Sequence, residues 1–430
     1  MSVPGLTRAR VTRLGSRGEG LIETPNGPIF APYALPGELV DVQGEGERAA
    51  LVEVIESSPA RIEAICPLFT ICGGCAVQTL AQPDYAAWKR GLVVTALTQA
   101  GVGDDGLVAP LVDAHGAGRR RVTMHARAHG GGERLRAVAG FMRARSHDVI
   151  DVAACPILAP GLERAFDVAR AIARALASVG KPLDVQATAT EGGLDIDVRG
   201  AGPLPEALHR DMIALAETLD LARLTHHGVV VAERRPPTLA MGIAHVVAPG
   251  GGFLQATEAG EATLAALAME AIGGAGKVAD LFCGCGAFAL RMAQRAEVIA
   301  VDSAPEAIAA LDRAARTPGL RRIRAEARDL FRRPLRVDEL KGLDAVVFDP
   351  PRAGASAMAE QIAASEVPLV VGVSCHPGSF ARDARILIAG GYTLTKVTPV
   401  DQFRHSAHVE LVGVFSRPKA AKKKRGLLSR

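Results

Sequence analysis

The sequence predicts an α/β fold: a doubly wound, Rossmann-like domain, preceded by a small β-barrel and a mixed α+β segment. Three observations predict it. From Lys277 onward, short apolar runs alternate with helical stretches. A glycine-rich turn joins the first of these runs to its helix. Residues 1–57 hold only β-type runs cut by Gly and Pro. Alternating strands and helices signal a parallel sheet covered on both faces, whereas evenly spaced short strands signal a barrel.

Taken in order, residues 1–57 give Arg10–Leu14, Gly20–Thr24, Pro28–Ala31, Glu38–Val42 and Ala50–Ile55 as five strands. Their lengths and turns fit an OB-type barrel, a frequent RNA-binding shape, although a structural cap without ligand would show the same pattern. Residues 58–245 mix a cysteine group, an arginine-rich run and helical stretches such as Leu162–Ala177. Residues 246–418 carry the repeated units. Lys277–Leu281 reads as a strand, Ala287–Arg295 as a helix and Glu297–Val301 as the next strand. Pro305 then opens a helix at a position where its missing N–H is harmless. Ala345–Phe348 and Leu369–Val373 are continuously apolar, as strands buried on both faces should be. Thr393–Pro399 and His408–Ser416 have no helix between them, so they should pair antiparallel. Residues 419–430 form a basic tail.

At 430 residues, two or three domains are expected. Aromatic residues make up only 4%, so any stacking surface for RNA rests on a few rings or on arginine planes. The net charge of +4 is mild, but its distribution is uneven. Between Arg119 and Arg145 stand eight arginines with Glu133 the only acid, and the tail runs Lys419-Ala-Ala-Lys-Lys-Lys-Arg425. Such blocks bind phosphate or simply form solvated faces. No apolar run approaches membrane-spanning length, and no apolar core follows the N-terminal arginines as a secretory leader requires. Of the seven cysteines, three fall within residues 66–75. That grouping implies a reducing, cytoplasmic setting in which cysteines serve a metal or catalysis.

Four places carry chemistry. Asp280-Leu-Phe-Cys-Gly-Cys-Gly286 leaves a strand for a helix, and its glycines Gly284 and Gly286 let the backbone approach a nucleotide-like ligand. Asp302 closes the next strand, where an acid accepts ribose hydroxyls. The third glycine of the dinucleotide fingerprint is missing, which favours S-adenosylmethionine over NAD because no pyrophosphate needs seating. Asp349-Pro-Pro-Arg352 and Ser374-Cys-His-Pro377 each follow a strand, so both should face one crevice. Cysteine is often mere apolar filler, but beside that crevice Cys375 becomes a candidate nucleophile. Glu410, in His405-Ser-Ala-His-Val-Glu410, becomes a candidate general base only in such company. Cys66, Cys72, Cys75 and Cys155 complete a four-thiol set. Zinc and a [4Fe–4S] cluster both take four thiols; the uneven spacing and the prolines after Cys66 and Cys155 favour the cluster.

On these residues the chain resembles the class I RNA uracil-C5 methyltransferases, most closely the bacterial iron–sulfur enzymes acting on 23S ribosomal RNA. The resemblance spans nearly the whole chain. It includes the N-terminal TRAM-type OB region, Cys66-Pro with Cys72-Gly-Gly-Cys75, and Gly140-Phe with Asp151-Val-Ala-Ala-Cys-Pro-Ile-Leu-Ala-Pro160. It continues through Phe253-Leu-Gln255, Asp280–Gly284, Asp349-Pro-Pro-Arg-Ala-Gly354, Ser374-Cys375 and His408-Val-Glu410. It implies that Gln255, Phe282, Asp302, Asp329 and Asp349 line the cofactor site, that Cys375 is the nucleophile and that Glu410 is the base. It also implies methylation of uridine carbon 5 from S-adenosylmethionine, a [4Fe–4S] cluster on the four cysteines, and a cytoplasmic, monomeric enzyme whose partner is RNA, most closely 23S ribosomal RNA. The cluster is expected to be structural, because its cysteines lie outside the α/β region. Alternatives are a transfer-RNA uridine enzyme, a cytosine-C5 enzyme and a non-catalytic iron–sulfur RNA-binding protein. Two departures stand out: Ala287 replaces the family's usual Asn, and His376 replaces the Asn after the nucleophile.

Overall fold

A computed structural model describes residues 6–417; the basic tail falls outside these residues. The first sheet has six strands: β1 (Leu6–Arg10), β2 (Arg13–Leu14), β3 (Glu19–Thr24), β4 (Gly27–Pro32), β5 (Leu39–Glu45) and β6 (Arg48–Glu56), in the order β1-β5-β6-β4-β3-β2. The expected first strand, Arg10–Leu14, is broken. Val11 donates its N–H to the Glu38 carbonyl at 2.9 Å and Thr12 to the Leu21 carbonyl at 2.8 Å, so the chain changes partners there. Val11, Ile22, Ala31, Val40 and Val42 form the small core beneath.

After α1 (Gln82–Ala100) and the two-residue β7 (Val112–Asp113) comes a second sheet. Its strands are β8 (Arg121–His129), β9 (Arg136–Met142), β10 (Val149–Asp151), β11 (Leu183–Thr190), β12 (Gly193–Arg199), β13 (Arg223–His226) and β14 (Val229–Glu233), ordered β10-β9-β8-β11-β12-β13-β14. On β8, Val122, Met124 and Ala126 alternate inward, as a half-buried strand requires. They pack against α2 (Ala165–Ala175), the expected Leu162–Ala177 helix, and near α3 (Glu206–Thr218). A hairpin of β15 (Thr238–Met241) and β16 (Ala244–Val247) follows.

The third sheet is the doubly wound one. It comprises β17 (Lys277–Leu281), β18 (Glu297–Asp302), β19 (Ile323–Ala327), β20 (Ala345–Phe348), β21 (Leu369–Ser374), β22 (Thr393–Asp401) and β23 (Glu410–Ser416). Interleaved with these are α4 (Glu258–Ile272), which precedes β17, α5 (Ala289–Met292), α6 (Pro305–Ala314), α7 (Ser356–Ala364) and α8 (Pro377–Ala389). The order β19-β18-β17-β20-β21-β23-β22-β7 reverses direction beside β17. Only β23 runs antiparallel to its neighbours, as expected from the missing helix. The expected Ala287–Arg295 helix shrinks to the single turn of α5. Gly284 and Gly286 sit at φ of +54° and +102°, which keeps the chain in a turn until Phe288. Residues 58–245 also contribute to this layer. β7 pairs parallel with β22, and α1 packs on α8, with Val93 and Leu97 in the same core as Phe380 and Leu387. Among the described residues, no helix is long and apolar enough to cross a membrane.

Candidate active site

The carboxyl ends of the third sheet's strands open into a cavity of about 1220 Å³. This is where a parallel sheet leaves room for a ligand, beside the point at which strand order reverses. Phe282, Gly284, Asp302, Asp349, Cys375 and Glu410 all line the cavity, with Gln255 entering from the loop before α4. Thr257 caps that helix, accepting the Gly260 N–H at 2.8 Å, and so fixes the segment that carries Gln255.

One side is built around Asp302. Its Oδ2 accepts the Gly284 N–H and its Oδ1 the Ala304 N–H, both at 2.9 Å, so a single carboxylate fastens the glycine turn to the end of β18. Lone pairs remain on both oxygens for further donors. Phe282 adopts φ +63°, a conformation uncommon for a bulky side chain. Its ring lies 5.5 Å from that of Phe331, and both line the cavity. A Cβ at Gly284 would meet nothing within 4 Å, so this turn leaves space for a ligand. Gly286 and Asp329 do not line the cavity. A Cβ on Gly286 would come within 2.5 Å of Leu311, so this glycine serves packing. The Asp329 carboxylate accepts the Phe331 N–H at 2.9 Å and thereby holds the turn that presents Phe331, an aromatic the sequence reading missed.

The other side is a chain of buried polar groups. Gln255 donates to Asp349 Oδ2 at 3.0 Å, and Gln402 donates both to Gln255 Oε1 at 2.6 Å and to Glu410 Oε1 at 3.1 Å. Gln402 was not anticipated. Fully buried, it also accepts the Ala256 N–H at 2.9 Å, locking the loops of Gln255 and Glu410 together. Burial pushes Asp349 and Glu410 above the ordinary carboxylate range, and the Asp349 charge raises Glu410 further. Two carboxyls sharing a dry site do not both ionise readily. Cys375 is half-buried, and its thiol is pushed up to about 11, first by burial and then by the charges of Glu410 and Asp349. Arg352 acts in the opposite sense on Cys375, and its Nη2 lies 3.0 Å from a ring nitrogen of His408. The neighbouring His376 takes no part in this cluster: its Nδ1 accepts the Ser379 N–H at 3.1 Å and caps α8.

Behind Glu410, the 401–410 loop is anchored by a wholly buried lysine. Lys89 of α1 meets Asp401 at 2.8 Å and also donates to the carbonyls of Phe403 and His408. Tyr85 donates to Asp401 Oδ2 at 2.8 Å. Asp401→Ala would strand this ammonium in the interior. The expected cost is about 3–5 kcal/mol, the range for breaking a buried pair, measurable by denaturant unfolding.

Cys66, Cys72, Cys75 and Cys155 stand outside the segments that build the third sheet, yet line the same cavity as Cys375. All four are free thiols. Cys155 is raised to about 11 by burial first and then by the charges of Cys75, Cys66 and Cys72. Among the described residues, however, no group of three or more Cys, His, Asp or Glu is drawn together as a metal ion needs. The four expected ligands thus share one cavity wall without forming a ligand set.

The arginine run also divides. Arg120 is buried and Arg119 and Arg121 are half-buried, whereas Arg134, Arg136, Arg143 and Arg145 are exposed. Arg119 lies over the Phe403 ring at 5.6 Å, and Arg121 donates to the Gly252 carbonyl at 2.7 Å.

No family model matches the chain. An uncharacterized RNA methyltransferase of Brucella melitensis is 44% identical over 408 residues, 95% of this chain and 97% of its own length. The 23S rRNA (uracil(1939)-C(5))-methyltransferase RlmD of Pectobacterium carotovorum is 31% identical over 427 residues, covering 94% and 92%. Among solved structures, the tRNA (uracil-54, C5)-methyltransferase of Pyrococcus abyssi, in complex with S-adenosyl-L-homocysteine, superposes with a TM-score of 0.71. It shares 20% identity over 95% of this chain and 99% of its own, a likeness of fold.

Proposed function

Because the chain belongs to the S-adenosylmethionine-dependent RNA uracil-C5 methyltransferases, we propose that it methylates one uridine of 23S ribosomal RNA through a covalent bond from Cys375 to carbon 6. The observation that carries this reading is the convergence of Cys375, Asp349 and Glu410 on one cavity whose far side is the glycine turn and Asp302. Carbon 5 of uridine is a weak nucleophile. Addition of the Cys375 sulfur to carbon 6 makes an enolate, and carbon 5 then attacks the methyl group of the sulfonium. Removal of the carbon 5 proton by Glu410 expels the cysteine and restores the ring. The target base has to leave its stack to enter the cavity. The test is mass mapping of 23S ribosomal RNA from a deletion strain. Loss of one 5-methyluridine, restored by the purified protein and S-adenosylmethionine, is expected; an unchanged 23S map with a lost transfer-RNA methyl group would reassign the substrate.

Asp302 would hold the ribose of S-adenosylmethionine, and Phe282 and Phe331 would pack against its adenine. Asp302→Ala removes the ribose acceptor and frees the Gly284 N–H. Cofactor binding is therefore expected to weaken by about 1–3 kcal/mol, the range for unpaired buried polar groups. Calorimetry checks this, and unchanged affinity would move the ribose elsewhere.

The cluster belongs to this reading as a [4Fe–4S] group held by Cys66, Cys72, Cys75 and Cys155, four thiols on one cavity wall being the number of donors such a group takes. Bound there, it would tie the 66–75 loop to the segment around Cys155. Protein purified without oxygen is expected to be brown with about four iron atoms per chain, and Cys155→Ser to lose the colour. A colourless protein with stoichiometric zinc would replace the cluster by an ion. RNA would reach the cavity along the exposed arginines and the N-terminal sheet, read here as an OB-type module. The enzyme is read as a cytoplasmic monomer.

A further inference from the structure

Glu261, in the first turn of α4, is 1% exposed and lies between two arginines. Its Oε2 accepts from Arg120 Nη2, and its Oε1 lies 2.9 Å from Arg291 Nη1. Each arginine has a second attachment. Arg120 donates its Nε to the Gln255 carbonyl at 3.2 Å and its backbone N–H to the Ala256 carbonyl at 2.9 Å. Arg291 donates to the Ala287 carbonyl at 2.6 Å, at the end of the glycine turn. The methyl side chain of Ala287 has no polar atom to fix that turn, so its carbonyl is what Arg291 holds. One buried carboxylate thus joins the segment bearing Gln255, which bonds Asp349, to the turn bearing Gly284, which bonds Asp302.

Replacing a buried ion group by apolar residues is often neutral or stabilising, so stability alone is a weak reason for this arrangement. Fixed geometry between two binding segments is a better one, because reacting groups work only when held by a second layer of locked side chains. We propose that Glu261 is a positioning residue for methyl transfer, setting the turn at Gly284–Ala287 in register with Gln255 through Arg291 and Arg120. The proposal rests on the methyltransferase reading above.

The two arms are separable. Arg291→Met loosens only the cofactor turn. It is expected to weaken S-adenosyl-L-homocysteine binding about tenfold, with KM for a 23S ribosomal RNA transcript within about twofold of wild type. Arg120→Met loosens the Gln255–Asp349 side and is expected to lower kcat about tenfold while weakening S-adenosyl-L-homocysteine binding less than Arg291→Met does. Glu261→Gln should show both losses. Calorimetry and steady-state kinetics read the split, and thermal melting reads stability. If all three variants melt earlier yet keep wild-type affinity and kcat, or lose both without a split, the triad is structural and the proposal falls. Should Glu261→Gln fail to fold, the two arginine variants decide, since each leaves Glu261 one cationic partner. Failure of the wild-type protein to bind the cofactor or methylate the transcript would instead overturn the methyltransferase reading.

Discussion

Cys375→Ala should abolish methyl transfer, by about 10⁴-fold or more, the scale for deleting a covalent nucleophile, while S-adenosyl-L-homocysteine still binds. In the proposed mechanism the sulfur is what makes carbon 5 reactive, and the other cysteines on the cavity wall, Cys66, Cys72, Cys75, Cys155 and Cys285, stand on other loops. The resting thiol is raised to about 11, chiefly by burial, with the charges of Glu410 and Asp349 adding to it. Arg352 already acts in the favourable sense, so forming the thiolate needs in addition a route for its proton. Transfer of labelled methyl groups to RNA measures the loss, and denaturing gels show whether a protein–RNA adduct forms. An adduct that persists in Cys375→Ala would place the nucleophile elsewhere.

Glu410→Gln should fail at a different step. In the proposed mechanism thiolate addition and methyl transfer precede the need for a base, so a methylated adduct should accumulate and survive denaturation, with turnover reduced about 10²–10⁴-fold. The pH profile carries a second signature. Burial and the Asp349 charge raise Glu410, so its basic form grows as pH climbs out of the acid range. Wild-type kcat should therefore increase with pH through neutrality, and this dependence should flatten in the glutamine variant, which has no proton to lose. Full turnover by Glu410→Gln would remove the residue from the mechanism.

The parts of the site that sit at strand ends were legible in the sequence. Asp302, Asp349 and Cys375 follow short apolar runs, and the parallel topology brings such positions to one edge. Gln402 was not legible, because its role comes from bonds to residues 147 and 8 positions away, which no local pattern reveals. Lys89 left a trace that was passed over: Tyr85, Lys89, Val93 and Leu97 recur every fourth residue and are all buried. A lysine on such a stripe announces a buried partner. The three consecutive arginines at 119–121 looked like one basic patch, yet Arg119 goes to Phe403, Arg120 to Glu261 and Arg121 to Gly252. Charge composition cannot distinguish these destinations. The helix after the glycine turn was overextended because Ala-rich sequence favours helix, whereas the left-handed glycines favour a turn.

The pairing of β7 with β22 and of α1 with α8 has a consequence for how the polypeptide emerges from the ribosome. Lys89 and Asp401 are 312 positions apart. At typical synthesis speeds, roughly 15–60 s separates the appearance of one from that of the other. Throughout that interval the apolar stripe of α1 has no α8 to cover it, and the ammonium of Lys89 has no counter-ion. The N-terminal sheet and the second sheet, whose strands pair within residues 6–56 and 121–233, are free to form first. The C-terminal layer closes only near the end of translation, when the earliest helix is captured by one of the last. A fragment beginning at residue 246 would lack α1 and β7, exposing Phe380 and Leu387 and leaving the edge of β22 unpaired. Such a fragment is expected to aggregate where the whole chain folds.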